Sequence, residues 1–352
     1  MKLFTCRACG QVLYFENTLC ERCGRRLGFL PATMTLTALE PRGAAWTPLA
    51  PAPSPQRFCA NAEYDACNWL VAEGDISPFC RACRHNRTVP DLGIAENLPR
   101  WRTIETAKHR LIYTLLRLRL PLATRAEDPV HGLAFDFLAD TGATAGEAVM
   151  TGHDNGLITI ALTEADDAER ERRRAQMHEP YRTLLGHFRH EVGHHFWDLL
   201  VGNSRFLDQF RALFGDERED YGAALARHYA AGAPAGWQND FISAYATAHP
   251  WEDWAETFAH YLHMIDTLEM AQAFGMRVDP VVTQDPALSS EVTFDPHATQ
   301  DIAALVAAWL PLTFALNSLN RTMGETDLYP FVIAPLVVEK LGFVARVVHA
   351  AS

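Results

Sequence analysis

Residues 187–200 read His-Phe-Arg-His-Glu-Val-Gly-His-His-Phe-Trp-Asp-Leu-Leu. Their centre, His190-Glu191-x-x-His194, has the spacing of the zinc-hydrolase signature. Residues four apart on a helix lie on one face about one turn apart, so two imidazoles can bind one metal ion while Glu191 faces a water on that ion. Apolar residues surround the pattern, and they predict a buried helix that begins at Pro180.

A second stretch, from Pro250 to His263, is the expected source of a third ligand. Pro250 suits the first position of a helix, which places Glu252 in the first turn, where the helix dipole favours a carboxylate. Glu252 and Glu256 lie four apart on one face, so one can bind the metal while the other accepts a hydrogen bond from a ligand imidazole. We predict Glu252 as the ligand and Glu256 as the acceptor, and the reverse assignment stays open. Aromatic residues between them indicate burial, which is costly for carboxylates without a cation.

The first cysteine quartet consists of two Cys-x-x-Cys pairs, Cys6 with Cys9 and Cys20 with Cys23. Each pair is followed by a glycine that lets the backbone turn toward the sulfurs. This spacing is typical of a zinc ribbon, in which four thiolates form a closed tetrahedral site. So short a segment has little core of its own, so metal binding would supply its folding energy.

A second quartet consists of Cys59, Cys67, Cys80 and Cys83, of which only the last two form a Cys-x-x-Cys pair. We predict a second structural zinc site here, with His85 as a spare ligand. Four buried free thiols are the alternative. All eight cysteines fall in the first 83 residues without a secretory context, which favours zinc thiolates in a reducing compartment over disulfides.

The charge of the chain limits its partners. The formal net charge of −12 argues against a protein whose whole surface binds nucleic acid. Residues 80–126 carry ten Lys and Arg against three acidic residues, so a local excess of seven positive charges is left as a possible contact for an acidic partner. No signal peptide is visible, and the most apolar stretch, residues 302–316, is too short to span a membrane and predicts a buried helix. A cytoplasmic protein is expected.

The pattern of elements predicts an α+β protein. We expect a zinc ribbon in residues 1–30, a proline-rich linker in 31–57 and a second four-cysteine module in 58–95. Residues 96–352 are expected to form a mostly helical domain with a small β-sheet. Two of its strands are predicted from β-branched and aromatic residues at 132–138 and 156–162.

Three longer runs carry a family resemblance. They are Val149-Met-Thr-Gly-His-Asp-Asn-Gly-Leu-Ile-Thr-Ile, Tyr181-Arg-Thr-Leu-Leu-Gly-His-Phe-Arg-His-Glu-Val-Gly-His and Trp251-Glu-Asp-Trp-Ala-Glu-Thr-Phe-Ala-His-Tyr-Leu. On these runs the chain resembles a bacterial family of zinc-binding metallopeptidases with an N-terminal zinc ribbon, over nearly its whole length. More broadly it is similar to gluzincins, whose third ligand is a Glu followed by x-x-Ala-Asp. That pattern maps onto residues 252–256, with Glu256 in the place of the Asp.

The resemblance implies a zincin-like fold and further site residues. In gluzincins a strand beside the active-site helix pairs with an extended substrate, a role that falls to residues 156–162. A Tyr or His can also stabilise the oxyanion, and Tyr245 is the predicted residue, with His249 and His260 as alternates. His260 is also placed behind the metal ligands, together with Glu256.

The leading hypothesis is a zinc peptidase in which Glu191 acts as general base, with one catalytic and two structural zinc ions. Its substrate is a peptide or protein, and the zinc ribbons would recruit that substrate or a protein partner. One alternative keeps the metal but changes the substrate to a non-peptide amide. The other is a zinc-ribbon adaptor whose peptidase domain is catalytically silent. Binding to nucleic acid or to a membrane is not expected.

Overall fold

The computed structural model describes residues 2–139, 151–177 and 183–351, with the side chains of 173–177 excepted. Helices and several small sheets give an α+β architecture, as the sequence predicts. The chain divides into two units. The first comprises residues 1–117 and 122–173, and the second comprises 118–121 and 174–352.

The first unit begins with the zinc ribbon. Strands β1 (Phe4–Thr5) and β2 (Val12–Leu13) form an antiparallel hairpin. The turn between them passes through Gly10, whose φ of +77° is a left-handed conformation that favours glycine. The Gly10 N–H donates to the carbonyl oxygen of Cys6 at 2.8 Å, so this turn brings the first pair of cysteines together.

The predicted linker is instead part of a five-stranded antiparallel sheet in the order β3-β4-β5-β6-β7. The strands are β3 (Leu27–Leu30), β4 (Thr35–Arg42), β5 (Ala45–Pro48), β6 (Gln56–Phe58) and β7 (Leu70–Ala72). The prolines suggested an unstructured segment, but Pro51, Pro53 and Pro55 lie between β5 and β6, where no ladder needs their missing N–H. Because β7 belongs to the same sheet, the second cysteine segment is not a separate module.

A second sheet contains both strands predicted from β-branched and aromatic residues. Its order is β10-β11-β9-β8, with β9 parallel to both β8 and β11. The elements of this part are β8 (Asn86–Thr88), helix α1 (Asn97–Arg117), β9 (Ala134–Leu138), β10 (Gly152–Asp154), β11 (Leu157–Ala161) and helix α2 (Asp167–Met177).

Strand β11 corrects the expectation that residues 156–162 add to an extended substrate. Leu157, Ile158 and Thr159 pair with β10 on one side and β9 on the other, so their backbone groups are already used. The hairpin between β10 and β11 turns at Asn155 and Gly156, which have φ of +47° and +81°. An Asn-Gly pair with both residues in this conformation is the preferred two-residue hairpin turn.

The basic stretch of the first unit is largely neutralised. At least six of its ten cationic side chains form ion pairs with acidic residues of the same unit. These pairs are Arg84–Asp75, Arg87–Asp136, Arg100–Asp166, Arg102–Asp65, Lys108–Glu105 and Arg110–Glu16. The positive excess read from the sequence therefore does not translate into a free basic surface of the same strength.

The second unit is helical. Its elements are α3 (Leu184–Leu200), α4 (Leu207–Phe214), α5 (Tyr221–Ala231), α6 (Pro250–Ala273), β12 (Arg277–Val278), β13 (Ser290–Glu291), α7 (Ile302–Thr322) and α8 (Pro335–Ala350). Helix α6 is central and packs against α3, α4, α7 and α8. Trp254 and Phe258 of α6 are fully buried in this core. Burial of aromatic side chains on several sides of one helix is what holds the unit together.

The two helices predicted to carry the metal ligands begin at defined caps. Thr183 caps α3, since its Oγ1 accepts a hydrogen bond from the Gly186 N–H at 3.0 Å. Pro180, predicted to open this helix, lies outside the described residues. Helix α6 begins at Pro250 as predicted, and the Nδ1 of His249 caps it by accepting from the Trp251 N–H at 3.1 Å.

Helix α7 is longer than predicted and extends to Thr322. By length and composition this helix could span a membrane, but core helices of soluble proteins meet the same criterion. In its most apolar window, 39% of the residues are buried. Phe314 and Leu319 on this helix are 53% and 59% exposed. The helix is therefore only partly buried and carries exposed apolar side chains outside the core.

Candidate metal centre

Helices α3 and α6 approach closely at Gly193. A Cβ at this position would lie 3.1 Å from the Cα and 3.3 Å from the carbonyl oxygen of Ala255. The Trp254 Nε1–H donates to the Gly193 carbonyl at 2.9 Å across the same contact. The absence of a side chain within the His-Glu-x-x-His pattern thus lets the imidazoles of α3 reach the first turn of α6.

The structure brings His190, His194 and Glu252 together. The His190 Nε2 lies 3.2 Å from the His194 Nε2 and 3.0 Å from the Glu252 Oε2. The third distance, from the His194 Nε2 to the same carboxylate oxygen, is 3.5 Å. Ligand atoms about 2.05 Å from a tetrahedral zinc ion lie about 3.3 Å from one another. The three donor atoms therefore fit one face of a zinc coordination tetrahedron.

The Glu252 carboxylate has the character of a metal ligand. Its Oε2 is buried and accepts no hydrogen bond among the described residues, which is costly without a cation. Burial disfavours its ionisation, yet His194 and His190 hold the pKa of Glu252 well below its usual range. The group is thus a carboxylate at neutral pH, the form that binds metal.

Glu256 lies behind His190. Its Oε1 is 2.7 Å from the His190 Nδ1, so this nitrogen donates to the carboxylate and the Nε2 faces the other donor atoms. The Ser243 Oγ–H donates to the other oxygen, Oε2, at 2.6 Å. Burial raises the pKa of Glu256, but His190 outweighs it and the pKa is lowered. Of the two assignments left open, this geometry supports Glu252 as ligand and Glu256 as acceptor.

Tyr221, which the sequence did not suggest, contacts Glu252 directly. Its hydroxyl donates to the Glu252 Oε1 at 2.6 Å. Burial, Glu252 and the half-buried Glu191 raise the pKa of this tyrosine, so the hydroxyl keeps its proton. No motif marks Tyr221, because it lies 31 residues before Glu252 on a separate helix.

Tyr245 lies beside the three donor atoms. Its ring centroid is 5.9 Å from that of His190, and burial together with Glu252 raises its pKa. Its role toward an oxyanion stays a prediction. His249, one of the alternates, has both ring nitrogens committed, since Nδ1 caps α6 and Nε2 lies 3.1 Å from the Glu219 carbonyl oxygen.

His260, predicted behind the ligands, lies close enough to Glu256 for each to affect the pKa of the other, but it forms its hydrogen bond with another residue. Its Nδ1 lies 2.8 Å from the Tyr329 hydroxyl, and its ring packs edge-on against Phe331 with centroids 4.4 Å apart. Glu256 instead bonds His190 and Ser243. Burial lowers the pKa of His260 to about 4, so this residue is a neutral core histidine at neutral pH. Helical spacing placed it one turn beyond Glu256 but could not show that Tyr329 would reach it first.

The first cysteine quartet forms a compact cluster. The sulfurs of Cys6 and Cys23 are 3.8 Å apart, and those of Cys9 and Cys20 are 3.6 Å apart. Four thiolates about 2.3 Å from a tetrahedral zinc ion lie about 3.8 Å apart, whereas a disulfide requires about 2.05 Å. All eight cysteines of the chain are free of disulfides. The geometry is that of a zinc site.

The second quartet also converges, since Cys59, Cys67, Cys80 and Cys83 have sulfurs that all lie within 4.8 Å of one another. The Cys59, Cys67 and Cys80 sulfurs accept backbone N–H groups at 3.3 to 3.4 Å. Such a buried set of thiolates suits a metal better than the alternative of four unrelated free thiols.

The histidine beside this quartet is His109 of α1, and His85 is not its spare ligand. The His109 Nε2 lies 3.2 Å from the Cys67 sulfur and 3.6 Å from the Cys83 sulfur, while its Nδ1 is 2.6 Å from the Glu105 carbonyl oxygen. The His85 Nδ1 instead bonds the Leu133 carbonyl at 2.9 Å. Proximity in sequence favoured His85. His109 lies 26 residues beyond Cys83, and the packing of α1 places it beside the cysteine cluster.

Comparison with known proteins gives two family matches. A family model described as "Putative zinc-binding metallo-peptidase" matches residues 97–347, and one described as a zinc-ribbon domain matches residues 3–94. An uncharacterized protein of Mycobacterium bovis is 44% identical over 349 residues, which cover 99% of this chain and 95% of that protein. Two uncharacterized proteins from strains of Mycobacterium tuberculosis show the same identity and coverage. No solved structure matches the chain.

Proposed function

We propose that the chain, which belongs to the family described as "Putative zinc-binding metallo-peptidase", hydrolyses peptide bonds at the contact between α3 and α6. One observation carries the proposal. Two imidazole nitrogens and one buried carboxylate oxygen lie 3.0 to 3.5 Å from one another. This is the ligand set of a hydrolytic zinc site that keeps a position open for water.

Each side chain of the site has a proposed task. His190, His194 and Glu252 hold zinc, which when bound supplies Lewis-acid activation of a water and of the substrate carbonyl. Glu191 accepts a proton from the attacking water and passes it to the leaving amine. Glu256 keeps the Nδ1 of His190 protonated, so that the ring presents its Nε2 lone pair. The Tyr245 hydroxyl is the proposed donor to the developing oxyanion.

The proposal is tested with Glu191→Gln, which removes the base but no ligand. We expect peptide turnover to fall by about 10²–10⁴-fold while zinc content and thermal stability stay at the wild-type values. Glu339→Gln, an exposed position on α8, is the matched control and should be fully active. Cleavage is measured by mass spectrometry on a mixture of unfolded protein substrates. Activity retained by Glu191→Gln would refute the assignment.

The same assay separates the alternatives. A zinc-loaded wild-type protein that cleaves simple amides but no peptide would favour the amidase. A zinc-loaded wild type that is as inactive as Glu191→Gln on both substrate classes would favour the silent adaptor. We rank the peptidase first because the matching family model is described as "Putative zinc-binding metallo-peptidase" and because the proposed base, ligands and acceptor are all present in the chain.

We propose that the zinc ribbon recruits a protein partner or substrate. Three large apolar side chains are exposed on it, since Val12, Tyr14 and Leu19 are 47 to 52% exposed. Such exposed apolar side chains are suited to protein contacts. Tyr14→Ser with Leu19→Ser should weaken capture of the natural substrate but leave hydrolysis of short peptides unchanged. Equal loss on both substrates would contradict this role.

Thiolate clusters free of disulfides also suit the reducing cytoplasm proposed as its location.

A further inference from the structure

The two oxygens of Glu252 face different partners. Oε1 accepts the hydroxyl hydrogen of Tyr221 at 2.6 Å, whereas Oε2 lies 3.0 and 3.5 Å from the Nε2 atoms of His190 and His194. The Glu252 side chain is only 1% exposed. The tyrosine must be the donor in this pair, because an ionised carboxylate can only accept.

We propose that Tyr221 is a positioning residue that restricts Glu252 to binding metal through one oxygen. The inference rests on the proposed role of Glu252 as a zinc ligand. A carboxylate can bind a metal ion through one oxygen or both. A second carboxylate oxygen would add a fifth ligand beside the position that a hydrolytic site keeps open for water. The hydrogen bond to Oε1 holds that second oxygen away from the imidazoles.

The Tyr221 hydroxyl is held in place by the same helix start that carries Glu252. Tyr221 is the first residue of α5, and Asp220 caps this helix by accepting the Ala223 N–H at 2.9 Å. The Tyr221 ring packs edge-on against His249 and Trp251, with centroids 5.3 and 5.8 Å away. His249 in turn caps α6. The contacts of the Tyr221 ring with the start of α6 therefore fix the position of the hydroxyl relative to the Glu252 carboxylate.

Removal of the hydroxyl has a defined consequence. In Tyr221→Phe the Oε1 atom loses its donor in a buried site, and an unsatisfied carboxylate oxygen is costly there. The remaining partner of opposite charge is the metal, so Oε1 turns toward it and Glu252 binds through both oxygens. Zinc would then be retained with one ligand more, and the added carboxylate oxygen would make the bound water less acidic and crowd its position. We expect zinc affinity within about threefold of wild type and a 10- to 100-fold lower kcat with little change in KM.

The test uses the full-length protein with cobalt(II) in place of the zinc at this site. Four-coordinate cobalt absorbs visible light several times more strongly than five-coordinate cobalt, so the spectrum reports the number of ligands. Tyr221→Phe should show the weaker, five-coordinate spectrum. Tyr261→Phe is the matched control, because it also removes a hydroxyl bond from a tyrosine of the second unit, 3.4 Å from the His349 Nε2 on α8. Its cobalt spectrum and kcat should equal those of wild type.

The possible outcomes separate this inference from the proposed function. An unchanged cobalt spectrum in Tyr221→Phe overturns the positioning role, whatever the activity. A wild-type protein that takes up no more cobalt than His190→Ala overturns the metal site itself and with it this inference. Misfolding is not expected to intervene, since Tyr221 is 37% exposed and the substitution removes one oxygen atom.

Discussion

Gly193→Ala tests whether the close approach of α3 and α6 builds the metal site. The new Cβ would lie 3.1 Å from the Ala255 Cα, where carbon atoms normally keep about 3.5 Å or more. The neighbour is backbone and cannot rotate away, so the helices must separate by about 0.4 Å. Overpacking of this kind costs about 1–3 kcal/mol, and replacing a helical glycine by alanine returns about 1 kcal/mol. The net loss of folding stability is therefore about 0–2 kcal/mol.

The larger effect of Gly193→Ala is expected on zinc. A shift of about 0.4 Å between the imidazoles and Glu252 exceeds the tolerance of about 0.2 Å in metal–ligand distances. We expect zinc affinity to fall about tenfold or more, measured by competition with a chromogenic chelator. Gly222→Ala on α5 is the control, because its nearest atom, the Asp220 Oδ1, lies at an ordinary 3.6 Å. Wild-type zinc affinity together with an unchanged or higher Tm in Gly193→Ala would refute the reasoning.

Three further substitutions test other parts of the structure. His109→Phe should weaken zinc binding at the second cysteine cluster by about 10- to 100-fold while His85→Phe does not, and the reverse order would restore His85 as the relevant histidine. In the wild type the Lys340 Nζ lies 2.6 Å from the fully buried Asp253 carboxylate. Lys340→Met removes this partner, so urea unfolding should show a free energy of unfolding that is lower by about 3–5 kcal/mol. The double variant Lys340→Met with Asp253→Asn should recover most of the lost free energy of unfolding. An equal loss in the single and the double variant would argue against the ion pair. Burial lowers the pKa of His260 in the folded protein to about 4. As the pH falls below about 6.5, the unfolded chain therefore takes up a proton on this residue before the folded protein does. The free energy of unfolding should fall by about 2 kcal/mol by about pH 5. His260→Phe should flatten that part of the pH profile, and a profile identical to that of wild type would contradict it.

The parts of the site that follow from local rules were predictable from the sequence. The four-residue spacings of His190 with His194 and of Glu252 with Glu256 fix which side chains share a helix face. Pro250 marks the start of the second helix. Similarly, the Cys-x-x-Cys pairs define the zinc ribbon without knowledge of its packing.

Residues that reach the site through packing were not predictable. Ser243, Tyr221 and His109 each arrive from an element distant in sequence, and no spacing rule relates them to their partners. His260 shows the converse, because its helix position was right but Tyr329 determines its contact.

Two errors of fold came from weighting one signal over another. The prolines of residues 31–57 masked the short buried run of β4, which consists of Leu36, Thr37, Ala38 and Leu39. The Asn155-Gly156 pair is a hairpin signal in the sequence, and it predicts that β11 already has a neighbour. The pair therefore argues against β11 as a site for substrate addition.

We propose that His190, His194 and Glu252 bind one zinc ion in addition to those in the two cysteine clusters. The most direct measurement is the zinc content per chain of the purified protein and of Glu252→Ala, prepared identically. We expect about three zinc ions per chain in the wild type and about two in Glu252→Ala. Equal zinc content in the two proteins would contradict it.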